Sequence, residues 1–156
     1  MIAFHHETQR LAVGTPSGPI AIYDVRTSAK WKILEGHQKN VVCVEFDTKG
    51  NLLASYSSAD LTLRLWKVGN TGFFSTIMGG TGKSVKEWPL PPLKKSNNEG
   101  RRQNEKLQKL KQSEPKRPGQ ASSENFGKCK IKFIENEKTI ELIREDGSRS
   151  EHRIQK

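Results

Sequence analysis

The sequence GHQKNVVCVEFDTKGNLLASYSSADLTLRLW, residues 36–66, decides the fold of this chain. It contains three runs rich in apolar and β-branched residues, 41–46, 52–57 and 61–66, which clusters of turn-forming residues separate. The last run alternates apolar and polar side chains, as a half-buried strand does. We therefore predict three antiparallel strands joined by short turns, and residues 30–34 predict a fourth strand in front of them.

Gly36-His37, Asp60 and Trp66 resemble the signature of WD repeats, in which Gly-His and Trp-Asp dipeptides bracket each repeat. In that family the His, a strand Ser or Thr, the turn Asp and the Trp form a hydrogen-bonded set that holds a blade together. The resemblance implies the same set here, with either Ser55 or Ser57 as the hydroxyl. A largely buried Asp needs such donors, so we interpret these residues as structural and not as catalytic.

The residues upstream repeat the pattern of strands and turns. The runs around Phe4, at 10–15 and at 20–26 predict the last three strands of a preceding blade, with Tyr23-Asp24 in the place of Trp-Asp. The chain is therefore expected to begin in mid-blade. Because a propeller ring needs about four to eight blades, two to three blades cannot close one. We expect the missing blades to come from a longer protein or, failing that, from a second chain.

Composition indicates that much of the chain is not packed, since apolar residues make up 33%, charged residues 28% and the net charge is +10. Residues 94–128 hold ten basic and four acidic residues and few aliphatic ones, which predicts a disordered basic linker. The predicted organisation is thus an all-β partial propeller: WD-repeat blades at 1–93, the linker at 94–128, and strands at 129–156 that complete a degenerate last blade. In that last blade we place runs 130–134, 139–143 and 150–154, together with residues 85–88 as a fourth strand.

Three interpretations of the basic linker stay open: a solvated connection, contact with anionic lipid headgroups, and contact with nucleic-acid phosphates. Specific recognition of nucleic acid is disfavoured, because no aromatic residue precedes Phe126 in the linker and base stacking is therefore absent there. The residues that would contact an anionic surface are Lys94, Lys95, Arg101, Arg102, Lys106, Lys109, Lys111, Lys116 and Arg117.

No catalytic, cofactor or metal site is predicted. The run at 79–84, GGTGKS, has part of a phosphate-binding loop but lacks its first Gly, and Trp88-Pro89 prevents the helix that such a loop needs. His5 and His6 are adjacent, so in a strand they would point to opposite faces, and in a turn both would be polar surface. The two cysteines lie far apart in the sequence and imply no disulfide framework, so we expect a reducing compartment.

A more specific resemblance covers residues 1–93 and 128–154. The order of five segments carries it: 10–15, 18–27, 36–37, 53–57 and a closing Asp146-Gly147 hairpin. In this order the chain resembles the C-terminal end of the rabconnectin-3 beta subunit family of WD-repeat proteins.

That resemblance implies a non-enzymatic, cytoplasmic scaffold that is peripheral on vesicle membranes. Its implied partners are a larger alpha subunit and the subunits of the vacuolar proton pump, whose assembly and acidifying activity the pair would regulate. The alternative is an unrelated WD-repeat adaptor, of the RNA-processing or ubiquitin-ligase type, that uses the basic linker to bind nucleic acid or acidic partners.

Overall fold

The computed structural model of the protein describes residues 1–69, 82–93, 129–136 and 138–154. Over these residues it is built from strands, which confirms the prediction of an all-β chain. No helix in this part of the chain is long and apolar enough to cross a lipid bilayer. The strands are β1 (Ile2–His5), β2 (Arg10–Gly14), β3 (Ile20–Asp24), β4 (Ala29–Leu34), β5 (Val41–Phe46), β6 (Leu52–Ser57), β7 (Thr62–Lys67), β8 (Ser84–Pro89), β9 (Lys130–Ile134), β10 (Thr139–Ile143) and β11 (Arg149–Arg153).

The strands form three antiparallel sheets in which strands adjacent in sequence lie side by side. The first sheet contains β1 to β4, the second β5 to β8, and the third β9 to β11. Such meanders follow from the short turns between successive runs, since antiparallel strands need only a tight connection. The sheets are the blades of a partial propeller, as the sequence predicts.

The sheets stack face to face, and their first strands lie next to one another, β1 against β5 and β5 against β9. One apolar cluster fills the space between the first and second sheets, and another fills the space between the second and third. Between the last strands of the second and third sheets, the ring of Trp88 on β8 lies 5.4 Å from that of His152 on β11. Each face of the second sheet is therefore covered by a neighbouring sheet.

Two predicted strands belong to other sheets than expected. The strand at 29–34 pairs with β3, so the first sheet has four strands instead of three and is not cut in mid-blade. The strand that contains residues 85–88 pairs with β7, which leaves the tail with three strands among the described residues. Both predictions of sheet membership were wrong because alternation defines a strand, whereas long-range packing chooses the strand it pairs with.

Candidate functional site

Four of the predicted residues form one hydrogen-bonded network on the second sheet. The indole N–H of Trp66 donates to Oγ of Ser55 over 2.7 Å. Ser55 Oγ lies 2.8 Å from Nε2 of His37, and Nδ1 of His37 lies 2.9 Å from Oδ2 of Asp60. Because an ionised carboxylate can only accept, Nδ1–H of His37 donates to Asp60. Nε2 of the neutral imidazole is then an acceptor, and the Ser55 hydroxyl donates to it. The network joins β6, β7, the turn between them and the segment before β5.

The network identifies which serine supplies the hydroxyl. Asp60 accepts hydrogen bonds from the side chain of Thr62 at 2.6 Å and from its backbone N–H at 3.1 Å. Ser57 lies outside this set, because its hydroxyl only meets the carbonyl of Lys39 and the amide of Asp60, each at 3.4 Å. Of the two candidates, Ser55 is the one that contacts both His37 and the indole.

Burial and hydrogen bonding fix the charges of the network. Burial lowers the pKa of His37, and the opposing effect of Asp60 only partly offsets it. Burial by itself would raise the pKa of Asp60, but hydrogen bonds from Thr62 and His37 outweigh it and hold that pKa below its usual value. The His37 side chain is fully buried and both of its nitrogens have protein partners. The network therefore holds strands together and offers no group to a substrate.

Two glycines allow the backbone to approach this network. A Cβ on Gly36 would lie 2.8 Å from Nη1 of Arg64 and 2.9 Å from Cη2 of Trp66. Gly18, in the turn between β2 and β3, has a φ of +113°, and a Cβ there would lie 2.1 Å from the carbonyl oxygen of His37. The first sheet thus presses directly on the segment that carries His37.

His5 is part of a strand, which is the alternative in which His5 and His6 point to opposite faces. It is buried at the end of β1, with Nδ1 2.9 Å from the Thr8 hydroxyl and Nε2 3.0 Å from the carbonyl oxygen of Thr48. Thr48 belongs to the turn after β5, so His5 joins the first sheet to the second. His6 is exposed, as expected. Adjacent residues of a strand point to opposite faces, but the sequence does not show which of the two faces a neighbouring sheet covers.

The strand registers make the first and second sheets equivalent, residue by residue. In the second sheet, two cross-strand rows face the first sheet: Phe46–Leu53–Trp66 and Val44–Ser55–Arg64. The same positions of the first sheet hold the rows Phe4–Leu11–Tyr23 and Ile2–Val13–Ala21. We call the latter six residues the outward face of the first sheet, since they point away from the second.

The outward face of the first sheet is apolar, and its residues Ile2, Phe4 and Tyr23 are exposed while the other three are half-buried. Phe4 is 51% exposed where Phe46 is 6%, and Ile2 is 66% exposed where Val44 is 4%. Val13 stands where Ser55 lies in the second sheet, so this face has no counterpart of the Ser55 hydroxyl. None of its six residues belongs to either buried apolar cluster of the described chain.

The outward face of the third sheet is chemically different. Its exposed positions are mostly charged, and Arg149 and Glu141 form an ion pair across β10 and β11 with an N···O distance of 3.9 Å. Its charged residues are Lys130, Lys132, Glu141, Arg149, Glu151 and Arg153. The two ends of this stack of sheets are therefore unlike: one is apolar and the other is charged.

A groove of about 550 Å³ runs along the first strands of the three sheets. Met1 and Ile2, the β5 residues from Cys43 to Phe46, and the beginning of β9 line it. No group of three or more potential metal ligands occurs in the described part of the chain. The groove also brings Cys43 and Cys129 together, although the sequence separates them widely.

Several predicted residues lie outside the described residues. They are the nine basic residues from Lys94 to Arg117 that were predicted to contact an anionic surface, and positions 79–81 of the glycine-rich run. The remainder of that run is described: Gly82 forms a bridge with Leu34, and β8 begins at Ser84. A strand therefore follows the run where a phosphate-binding loop requires the N-terminus of a helix.

Comparison with protein families agrees with this geometry. The family model described as "WD domain, G-beta repeat" matches residues 29–67, which run from β4 through β7. The chain therefore contains a WD40 repeat. The matched repeat therefore contains the last strand of the first sheet, β4, and the first three strands of the second sheet, β5 to β7.

Related proteins are much longer than this chain. It is 33% identical over 99 residues to NACHT domain- and WD repeat-containing protein 1 of Mus musculus, a match that covers 62% of this chain and 6% of that protein. The protein of the same name in Homo sapiens is 34% identical over 86 residues, covering 55% and 5% respectively. The chain thus spans about one twentieth of the length of these relatives.

Among solved structures, Kluyveromyces lactis Hsv2 superposes with a TM-score of 0.60 at 14% identity, covering 94% of this chain and 38% of that chain. This likeness extends the propeller fold over all three sheets and shows the fold alone. The finer resemblance to the rabconnectin-3 beta subunit family stays a prediction.

Proposed function

We propose that this WD40-repeat chain is a non-catalytic scaffold for protein–protein interaction, and that the outward face of the first sheet is one of its binding surfaces. The observation that carries the proposal is the register equivalence of the two sheets. Phe46 and Val44 are covered by a neighbouring sheet, whereas Phe4 and Ile2, at the same positions, are exposed. An exposed apolar patch with this pattern is typical of an interaction site.

The same equivalence defines the chemistry of the occupant. The residues that cover the second sheet are small and aliphatic, for example Ala12, Ile20 and Ile22. A face of this kind on another propeller blade would fit Phe4, Leu11 and Tyr23 in the same way. Head-to-tail stacking of two copies does not supply it, because the outward face of the third sheet is mostly charged.

Photo-crosslinking in cells tests this proposal. A benzoylphenylalanine at position 4 is expected to crosslink to peptides from a propeller blade, whereas the same group at position 151, on the charged outward face of the third sheet, is not. The matched variants are Ile2→Lys and Val85→Lys, since both side chains are exposed and apolar but only Ile2 lies on the outward face of the first sheet. Crosslinking from position 4 should disappear with Ile2→Lys and survive Val85→Lys. Equal crosslinking from positions 4 and 151 would contradict the proposal.

The narrower form of the proposal places the chain in vesicle trafficking, as a cytoplasmic scaffold that is peripheral on vesicle membranes and regulates assembly of the vacuolar proton pump. The resemblance to the rabconnectin-3 beta subunit family supports it, through the order of segments from Arg10 to the Asp146-Gly147 hairpin. Affinity capture of the full-length protein that contains this chain should recover the larger alpha subunit and proton-pump subunits. Capture of RNA-processing or ubiquitin-ligase components in their place would favour the alternative adaptor.

Membrane contact in this narrower proposal rests on the nine basic residues of the linker, from Lys94 to Arg117. Each basic residue near an anionic surface contributes about 1 kcal/mol, which salt screens. Binding to phosphatidylserine vesicles at low salt, weakening as salt rises, is the expected result. If the chain binds such vesicles no better than neutral ones at low salt, the linker has no membrane role.

A further inference from the structure

Two thiols that the sequence keeps 86 positions apart meet between the second and third sheets. Cys43 lies on β5, and Cys129 directly precedes β9. The sulfur of Cys43 is 3.5 Å from the backbone carbonyl oxygen of Cys129, so the two residues are in direct contact. Both are unpaired cysteines, and both are buried.

The two thiols are buried but not sealed off. Both line the groove along the first strands, a space of about 550 Å³ that is open to solvent and large enough for a small oxidant. Apolar side chains packed between the two sheets, including Ala54 and Ile131, form part of their surroundings. The site therefore combines a preformed pair of sulfurs with a path for a small reagent.

The environment distinguishes the two sulfurs. A hydrogen bond from the Cys129 thiol lowers the pKa of Cys43, against burial and against the nearby carboxylates of Glu45 and Glu145. The same interaction, together with burial, raises the pKa of Cys129. Cys43 is thus the sulfur that ionises first, and the thiolate is the form of cysteine that reacts with peroxides.

We propose that Cys43 and Cys129 form a reversible modification site, at which hydrogen peroxide oxidises the pair to a disulfide that joins the second sheet to the third. In the first step the Cys43 thiolate attacks one peroxide oxygen, the O–O bond breaks, and the products are a sulfenic acid on Cys43 and, after protonation, water. In the second step the Cys129 sulfur loses its proton and attacks the Cys43 sulfur. The S–S bond forms, the S–O bond breaks, and hydroxide leaves with that proton as a second water. A dithiol reverses the oxidation by exchange.

The disulfide would change how the third sheet is held. In the reduced chain that sheet is attached to the second by side-chain packing and by contacts such as the Lys86 ammonium donating to the carbonyl oxygen of Arg153 at 2.9 Å. The oxidised pair adds a covalent bond at the groove end of the same interface, between β5 and β9. Oxidation would therefore fix the position of the charged outward face of the third sheet.

The test uses the whole chain, treated with hydrogen peroxide, quenched with N-ethylmaleimide and weighed intact. The native chain is expected to lose two hydrogen atoms without forming a disulfide to a second chain, and to regain both thiols with dithiothreitol. Its disulfide should form at least about tenfold faster than in chain unfolded by guanidinium, since unfolding removes both the contact and the activated thiolate. Disulfide formation at the same rate in unfolded chain, or intermolecular disulfides alone, would overturn the proposal.

Single variants assign the two roles. With Cys129→Ser, Cys43 should remain as a sulfenic acid that dimedone traps. With Cys43→Ser, Cys129 should stay reduced under the same treatment. Trapping on Cys129 and not on Cys43 would contradict the assignment. The measurement on the unmodified chain needs no variant, so it decides the proposal even where a serine disturbs the packing.

Discussion

Ser55 is the residue on which the network of the second sheet depends. Its single oxygen accepts from the Trp66 indole and donates to His37, so it satisfies two buried groups at once. The resemblance to the WD-repeat signature identified His37, Asp60 and Trp66. It could not choose between Ser55 and Ser57, since both are buried on the same strand and two positions apart. Only the position of the imidazole decides between them.

Replacing Ser55 with alanine should reduce the free energy of unfolding by about 2 kcal/mol, because it leaves the indole N–H and Nε2 of His37 buried without partners. Ser57→Ala is the matched control, since it removes the same atom from the same strand but loses only two contacts at 3.4 Å. We expect it to cost about 1 kcal/mol or less. Urea unfolding of dilute chain measures both, and equal losses would argue against the network.

His37 also predicts how stability changes with pH. Its pKa in the folded chain is lowered, mainly by burial, so the unfolded chain takes up a proton first as the pH falls. The contribution of His37 to the free energy of unfolding should therefore be fully present above about pH 6.5 and decrease as the pH drops below that value. Below about pH 4 the lowered pKa of Asp60 adds a further loss, since its stabilising charge disappears.

The variant His37→Gln should flatten the stability curve between about pH 6.5 and pH 5. His152 also has a pKa lowered by burial and contributes a slope of the same sign. His152→Gln is therefore the control, and it should leave the contribution of His37 in place. An unchanged slope in His37→Gln would show that the imidazole is not held neutral in the folded chain.

At the level of elements, strands and turns were predictable but pairing was not. The bounds of β5, β6, β9 and β10 agree with the predicted runs, because apolar alternation and turn residues are local properties. Sheet membership of β4 and β8 failed. Both runs lie between two blades in the sequence, and the alternation pattern is the same whichever neighbour a strand joins.

The turn between β2 and β3 gives a test of how the first two sheets are joined. In Gly18→Ala the added Cβ meets a strained φ of +113° and the carbonyl oxygen of His37 at 2.1 Å, so we expect a loss of about 3 kcal/mol or more. Gly147→Ala is the matched control, because its φ is +77° and nothing lies within 4 Å of its Cβ. It should cost about 1 kcal/mol. Thermal unfolding of both variants checks the difference, and similar losses would mean that the contact with His37 is relaxed in solution.

At the scale of the whole molecule, the two ends of the stack predict its behaviour in isolation. The apolar outward face of the first sheet should make the 156-residue chain self-associate as its concentration rises. The double variant Ile2→Lys and Phe4→Lys should reduce self-association and keep the fold, because both side chains are exposed. Sedimentation velocity over a range of concentrations measures the effect.

The register-matched pair Val44→Lys and Phe46→Lys is the control for that prediction. These substitutions bury two ammonium groups between the sheets. They should lower the free energy of unfolding by about 3 kcal/mol or more and so unfold the chain. An unsubstituted chain that stays monomeric over the whole range of concentrations would contradict the view that the outward face needs a covering blade.

The sequence by itself determined the strands and the turns, since these depend on residues that are close along the chain, and its resemblance to the WD-repeat signature indicated three members of the buried network. The tertiary structure decided which sheet β4 and β8 join, that His5 is buried, that Ser55 is the central hydroxyl, and that Cys43 meets Cys129. It also decided that one end of the stack is apolar and the other charged. The physical reason is that a period of two assigns side chains to alternate faces, whereas only packing between distant segments determines which faces are covered.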